Sequence, residues 1–230
     1  MPDPRDRLHM DIALLGGTGD IGQALALRWA LHTDYGIVVG SRERERARTK
    51  AEEYVTELES RGVEREIEGT ENAEAAAGAD VVVLAVPAYH VADTVEAVAD
   101  ELDDAILVSP AVGMTKDDAG LRYKPPGVGS VTALAADAAP DGTRVVGAFH
   151  NLSADRLANL DNDVDQDTLV VGDDPDARDI VADLADGIEG LRALDAGPLG
   201  NAPEVEGLTP LLINVARHNE GMHDLGVRFE

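Results

Sequence analysis

Short apolar runs alternate with helical patterns along most of this chain. The first apolar run covers residues 10–15 and precedes a helical pattern over 20–32. A second run, 36–40, precedes a helical pattern over 43–60. Later runs predict strands at 65–70, 81–87, 105–110, 143–149, 168–172 and 192–196, and later helical patterns cover 89–102, 130–139, 176–188 and 205–219. Strands that alternate with helices indicate a parallel sheet covered by helices.

This alternation predicts an α/β protein with a Rossmann-type, doubly wound parallel sheet. Residues 1–9 are polar and charged and are expected to form a flexible leader. Residues 10–142 form the predicted nucleotide-binding domain. The pattern then weakens, and residues 143–230 are expected to add a small mixed α/β part that forms one wall of a cleft.

A glycine-rich turn follows the first predicted strand and opens the first predicted helix. Gly17, Gly19 and Gly22 fit the pattern G-x-G-x-x-G. In this setting the first glycine permits the tight turn, the second lets backbone approach a pyrophosphate, and the third lets helix and strand pack closely. The same spacing also occurs in ordinary turns, but its position between strand and helix favours a dinucleotide site.

The end of the second predicted strand indicates which dinucleotide is bound. An NAD site usually places Asp or Glu there, to bind the ribose 2′-hydroxyl. This chain has Ser41 and Arg42 instead, and Arg44, Arg46 and Arg48 follow on the next helix. A hydroxyl and a guanidinium can bind a 2′-phosphate, so NADP is the expected cofactor.

The composition is strongly acidic, with 45 Asp and Glu against 19 Lys and Arg and a net charge of −26. Such a charge repels phosphates, which makes nucleic acid an unlikely partner. Molar salt shortens the Debye length to about 3 Å and screens the self-repulsion, so we expect a salt-loving, cytoplasmic setting, with an acidic protein of ordinary cells as the alternative. No apolar stretch is long enough to span a membrane, and the chain contains no cysteine.

Few strong acids or bases fall at the predicted strand ends, where ligands of open α/β sheets lie. His90 and His150 are the polar candidates there, and each is also compatible with a purely structural role. Residues 161–165 resemble an acidic calcium loop but lack the required spacing, so no metal is expected. Hydride exchange between two cofactors needs aligned rings rather than a placed acid, and this cleft fits that requirement.

Several segments resemble the archaeal-type NADP reductases that use the 8-hydroxy-5-deazaflavin coenzyme F420. The resemblance runs from about Met10 to the C-terminus. It rests on the segments ALLGGTGDIG (13–22), IVVGSR (37–42), VVLAVPAYH (82–90), ILVSPAVG (106–113), F-H-x-x-x-A-x-R-x-A-N-L (149–160), VVGDD (170–174), LRALDAGPL (191–199) and LTPLLINVARHN (208–219). The last three are the specific ones.

The resemblance implies reversible hydride transfer between reduced coenzyme F420 and NADP⁺. It places Thr18, Gly19, Asp20 and Ile21 at the pyrophosphate, and it assigns the 2′-phosphate to Ser41, Arg42 and Arg46. The path from adenosine to nicotinamide would be lined by Val86, His90, Val112 and Ala154. His150 and Leu225 would flank the meeting point of the two rings; the transfer itself proceeds by proximity, with His150 as the one candidate catalytic side chain.

Two other functions stay open at this point. One is an NADP-dependent dehydrogenase or imine reductase for a small metabolite, which the absence of a long helical domain disfavours. The other is a non-catalytic NADP(H)-binding module. The apolar C-terminal helix also predicts a homodimer.

Overall fold

One eight-stranded sheet forms the centre of the computed structural model, which describes residues 10–118 and 120–230. The predicted leader, residues 1–9, lies outside the described residues. The strands are β1 (Asp11–Leu15), β2 (Gly36–Ser41), β3 (Ile67–Glu71), β4 (Val81–Leu84), β5 (Ile106–Ser109), β6 (Met114–Asp117), β7 (Gly120–Tyr123), β8 (Arg144–Gly147), β9 (Gln166–Gly172) and β10 (Leu191–Asp195). The sheet order is β10-β9-β8-β5-β4-β1-β2-β3, while β6 and β7 form a separate hairpin.

Helices cover both faces of this sheet, as the alternation predicts. They are α1 (Asp20–His32), α2 (Arg44–Ser60), α3 (Asn72–Ala76), α4 (Val91–Ala97), α5 (Val131–Ala138), α6 (Ala154–Ala158), α7 (Pro175–Asp186) and α8 (Ala202–His218). One apolar cluster joins α1, α2 and α7 to the sheet, and a second joins α3, α4 and α5 to the opposite face. The prediction of a Rossmann-type, doubly wound α/β fold is therefore confirmed.

The parallel strands β1, β2, β4, β5 and β8 end along one side of the sheet, here called the carboxyl edge. From β1 the chain continues to β2 and β3 on one side, and then returns to β4 on the other side of β1. This reversal opens a crevice beside β1 at the carboxyl edge. Ligands of open α/β sheets bind at such a reversal.

The later strands extend the same sheet with one change of direction. β8 and β9 pair antiparallel, whereas β9 and β10 pair parallel. The end of β8 therefore pairs with the end of β9, at Gly147 and Val171, and the start of β9 projects beyond β8 on the side of the carboxyl edge. The predicted division after residue 142 stays a prediction, since the sheet runs across it without a break.

A buried arginine ties the first helix to the C-terminal part. Arg28, on α1, is 1% exposed, and it donates to the carbonyl oxygens of Leu157 (2.8 Å), Asn159 (2.6 Å) and Asn162 (2.9 Å). Burial lowers the pKa of its guanidinium. These bonds fix α1 against the end of α6 and the loop after it.

Some elements differ from the sequence-based expectation. The predicted helix 89–102 is divided into 3₁₀ turns at Ala88–His90 and Ala99–Glu101 with α4 between them. The β6–β7 hairpin and the five-residue helices α3 and α6 were not predicted. The sequence pattern did not predict the hairpin because β6 is exposed at all four positions and has no apolar alternation.

Candidate functional site

The glycine turn forms a tight connection between β1 and α1. Gly16 adopts a φ of +74°, and its N–H donates to the Gly40 carbonyl oxygen at 3.0 Å. A Cβ on Gly22 would lie 2.5 Å from the Gly17 Cα, so α1 can approach the turn this closely only with glycine there. Tyr54, on α2, donates its hydroxyl hydrogen to the Gly17 carbonyl oxygen at 2.9 Å and so anchors the turn to α2.

Gly19 differs from its neighbours because no protein atom crowds it. A Cβ placed there would meet nothing closer than the Gly16 carbonyl oxygen, at 3.6 Å. Gly19 is also the N-cap residue of α1, and no side chain accepts a hydrogen bond from the first turn. Asp20 is exposed and Thr18 and Ile21 are half-buried beside it. This open helix N-terminus, with a glycine facing outward, suits the close approach of a pyrophosphate.

The arginines near the end of β2 fall into two groups. Arg44 donates to the Thr70 hydroxyl at 2.9 Å and pairs with the Glu74 carboxylate at 2.5 Å. Arg48 pairs with Glu45 at 3.7 Å.

Arg42 and Arg46 are exposed, and within the described part of the chain neither forms an ion pair. They flank the start of α2, next to Ser41, whose Oγ is 3.3 Å from the Glu43 N–H that donates to it. Two unpaired guanidinium groups and a serine hydroxyl can therefore hold a dianion.

Tyr54 connects this arginine pair to the glycine turn. Burial raises the pKa of its hydroxyl, while Arg46 lowers and Asp20 raises that pKa through their charges. The Gly16 N–H also donates to the carbonyl oxygen of Gly40, the residue before Ser41, at 3.0 Å. The two sequence motifs meet at one corner of the carboxyl edge.

Residues after β4 and β5 continue the crevice away from this corner. Val86 follows β4, and its Cγ1 would lie 2.6 Å from a Cβ on Gly16, so it packs directly on the glycine turn. His90 is half-buried, and its ring packs against exposed Tyr89 with centroids 4.4 Å apart. Val112 follows β5 and is half-buried. The structure therefore brings these predicted residues to the same edge.

His150 follows β8 and is almost fully buried, at 3% exposure. Its Nε2 lies 3.3 Å from the Thr132 hydroxyl, which donates to the Glu206 carboxylate at 3.0 Å. The hydroxyl then accepts from His150, which assigns the ring hydrogen to Nε2. Nδ1 is buried without a partner in the described structure. Burial lowers the pKa of His150 to about 3, so the ring is neutral at ordinary pH.

Glu206 is the buried acid at the centre of this network. Its carboxylate accepts from the backbone N–H groups of Val131 (3.0 Å) and Thr132 (2.9 Å), and from the Tyr123 hydroxyl (2.8 Å). It thereby caps α5 together with Ser130, whose Oγ accepts from Ala133 at 2.9 Å. One side chain of α8 thus fixes α5, the hairpin and the surroundings of His150.

A cavity of about 520 Å³ lies between α8, the loop after β8 and the chain that follows α8. We call it the α8 cavity; its lining residues are Asn151, Leu152, Ser153, Ala154, Thr209, Leu212, Ile213, Ala216, Arg217, Met222, His223, Asp224 and Leu225. The predicted residues Ala154 and Leu225 are among them, whereas His150 is behind its wall. The Asn151 Oδ1 atom is buried and has no hydrogen-bond partner in the described structure. A mainly apolar cavity of this size fits a flat ring.

Among the described residues, no three His, Cys, Asp or Glu side chains are grouped so that they could hold a metal ion. No described helix combines the length and apolar character needed to cross a bilayer.

Comparisons with known proteins point to one family. A family model described as "NADP oxidoreductase coenzyme F420-dependent" matches residues 11–113. The F420-dependent NADP reductase of Methanocaldococcus jannaschii is 40% identical over 208 residues, which are 90% of this chain and 92% of the relative. The chain belongs to the F420-dependent NADP reductases. The member from Methanothermobacter thermautotrophicus is likewise 40% identical, over 222 residues that span 95% of this chain and 94% of its own.

Solved structures agree on the fold. A putative F420-dependent NADP reductase from Arthrobacter sp. FB24 superposes with a TM-score of 0.79 at 23% identity, covering 96% of this chain and 99% of that chain. A pyrroline-5-carboxylate reductase from Coxiella burnetii gives a TM-score of 0.58 at 19% identity, covering 94% and 73%. The family thus shares its architecture with reductases of another substrate class.

Sequence reasoning missed the buried network of Thr132 and Glu206. Ser130 ahead of an alanine-rich segment is a recognisable N-cap signal for α5. Glu206, however, lies in a helical pattern where glutamate is normally exposed, and only the packing of α8 on α5 shows its role. Asn151 follows the predicted strand 143–149, and sequence alone cannot show that its side-chain oxygen is buried without a partner.

Proposed function

We propose that this protein catalyses reversible hydride transfer between reduced coenzyme F420 and NADP⁺. When bound, the reduced deazaflavin supplies a hydride and the nicotinamide of NADP⁺ accepts it. The observation that supports this most directly is a pair of adjoining sites on one edge: the open glycine turn with two unpaired arginines, and the α8 cavity. Family membership at 40% identity supports the same conclusion.

The NADP side is assigned to the residues of the glycine turn and of the end of β2. The N–H groups at the start of α1, around Gly19, Asp20 and Ile21, would bind the pyrophosphate, with Thr18 beside them. Ser41, Arg42 and Arg46 would bind the 2′-phosphate and so discriminate against NAD. Val86, His90 and Val112 would line the path toward the nicotinamide.

The α8 cavity is assigned to the deazaflavin. Leu225 lines it, and so does Ala154, which the resemblance places on the path from adenosine to nicotinamide. His150 supports this wall as a neutral side chain, because its pKa of about 3 leaves it no proton to donate as an imidazolium at neutral pH. The chain's contribution to the reaction is then alignment and exclusion of water.

A third element of the proposal concerns setting and assembly. The net charge of −26 supports a cytoplasm rich in salt, as in salt-loving archaea, and it disfavours nucleic acid as a partner. Leu211 and Val215, at 57% and 37% exposure, lie one turn apart on α8 and support a homodimer through that helix. The oligomeric state is measured by light scattering after size-exclusion chromatography.

The activity is tested by anaerobic mixing of the protein with reduced coenzyme F420 and NADP⁺ in molar salt. Return of the oxidised deazaflavin absorbance is expected, and NAD⁺ should replace NADP⁺ poorly. If protein that binds NADPH gives no return, the deazaflavin assignment is wrong. A small-metabolite imine reductase would then be the next activity to assay.

A further inference from the structure

The chain after α8 forms the outer wall of the α8 cavity. It leaves the helix at Asn219 and returns along the carboxyl edge, where Met222, His223, Asp224 and Leu225 face the cavity. We call residues 219–230 the C-terminal strap. Asp224 has a φ of +50° and accepts from the Ser153 hydroxyl at 2.8 Å, so the strap bends sharply where it meets the loop after β8.

Beyond this bend the strap is fastened to the start of β9. The Asp167 N–H donates to the Val227 carbonyl oxygen at 2.8 Å, and the Asp167 carboxylate accepts from the Phe229 N–H at 2.6 Å. Gly226 lies directly on β9, since a Cβ there would be 2.0 Å from the Gln166 Cδ. The backbone hydrogen bonds between the strap and β9 begin at Val227, two residues after Leu225.

Asp167 is held in turn by an arginine on the neighbouring strand. Arg192 lies opposite Asp167 in the β9–β10 register, and its Nε and Nη2 donate to the two carboxylate oxygens at 2.8 and 2.7 Å. Asp167 is fully buried, and the hydrogen bond from Arg192 is the largest cause that lowers the pKa of its carboxyl. This two-point contact fixes the orientation of the Asp167 carboxylate, which in turn accepts from the Phe229 N–H.

We propose that Asp167 and Arg192 are positioning residues that hold the C-terminal strap, and with it Leu225, as the wall of the deazaflavin site. The pair does not touch either coenzyme and acts through the strap. The proposal rests on the assignment of the α8 cavity to the deazaflavin. It requires that loss of the pair weakens use of the deazaflavin and leaves use of NADP⁺ nearly unchanged.

The same strand offers a matched control. Arg178 donates to both carboxylate oxygens of Asp195, at 2.9 and 3.2 Å, and this pair joins α7 to β10 without contacting the strap. Arg178→Gln removes one two-point arginine–aspartate pair, as Arg192→Gln does. A general loss of stability at this side of the sheet would follow from either variant.

The experiment compares Arg192→Gln, Arg192→Lys, Arg178→Gln and Gly226→Ala with the parent chain in molar salt. Amide hydrogen exchange of residues 224–230 reports attachment of the strap, and steady-state kinetics give KM separately for reduced coenzyme F420 and for NADP⁺. Gly226→Ala crowds the strap against the Gln166 side chain without changing any charge. Hydrogen exchange shows whether the strap or that side chain moves, so this variant tests the same wall if Arg192→Gln does not fold.

Arg192→Gln and Gly226→Ala are expected to speed exchange of the strap and to raise KM for reduced coenzyme F420 about tenfold, with KM for NADP⁺ within about twofold. Arg192→Lys should give an intermediate effect, because an ammonium replaces the two-point contact with one. Arg178→Gln should leave the strap and both KM values unchanged.

Four results would overturn the proposal. Unchanged exchange in Arg192→Gln would show that the pair does not hold the strap. Faster exchange with an unchanged KM for the deazaflavin, or an equal rise in both KM values, would show that the strap does not form that site. Absence of deazaflavin turnover in the parent chain would overturn the proposed function and this role with it, while the exchange data would still report the attachment.

Discussion

At the scale of single residues, the arginines around Ser41 have separate tasks. Arg44 is bound by Thr70 and Glu74, and Arg48 by Glu45. Arg42 and Arg46 are exposed and form no ion pair in the described part of the chain, and they are the two proposed to bind the 2′-phosphate. The sequence showed four clustered arginines, but it could not separate them, because Glu74 reaches Arg44 from α3, a helix too short to be predicted.

This separation predicts the effect of a charge reversal at Arg42. Arg42→Glu should raise KM for NADP⁺ about 10–100-fold, since a hydrogen bond to a charged group contributes about 1.5–3 kcal/mol and the new carboxylate adds repulsion. Arg48→Glu, with the same change in charge six residues further along the chain on α2, should change KM by less than about threefold. Equal effects of both variants in steady-state kinetics would contradict the assignment.

The burial of His150 predicts how the stability of the fold depends on pH. Its pKa is about 3 in the folded chain and about 6.5 in the unfolded chain, so the unfolded chain binds an extra proton between these values. Stability should therefore fall as pH decreases through this window. Thermal unfolding from pH 7 to 4 should show a shallower fall for His150→Gln than for the parent chain, and parallel curves would contradict burial of a neutral ring.

At the scale of secondary-structure elements, Glu206 connects α8 to the N-terminus of α5. Glu206→Gln should lower the free energy of unfolding by about 2–4 kcal/mol, because the amide NH₂ would face backbone N–H donors that the carboxylate now accepts from. Glu204→Gln, an exposed change on the same helix, is the control and should cost less than about 0.5 kcal/mol. Urea unfolding in molar salt measures both, and equal losses would contradict the capping role.

The elements that sequence reasoning predicted are those with a clear burial pattern. β1, β2, β4 and β5 are apolar because helices cover both faces, and the glycine turn marks where β1 ends. The β6–β7 hairpin and α6 instead depend on partners distant in sequence. Asn214 of α8 binds the Leu121 N–H at 2.9 Å, and Arg28 of α1 binds carbonyls at the end of α6. Such long-range contacts leave no local periodicity.

At the scale of the whole molecule, the acidic charge predicts a dependence on salt. The Debye length grows from about 3 Å at 1 M salt to about 10 Å at 0.1 M, so the negative charges repel one another more strongly in dilute buffer. The Tm should therefore fall by about 10 °C or more when NaCl is reduced over this range. Calorimetry at both concentrations checks this, and an unchanged Tm would favour an ordinary acidic protein.

The hydrogen bonds of Arg28 bear on how the coenzymes bind and leave. Its bonds join the helix that begins at the glycine turn to the chain beside the α8 cavity. Enzymes that close over a substrate need a hinge between the two parts that move. Here the buried Arg28 guanidinium joins those two parts by hydrogen bonds. We therefore expect the gap between the two rings to be set before either arrives. Release of a product from an open site, rather than the opening of a closed domain, would then limit the turnover rate.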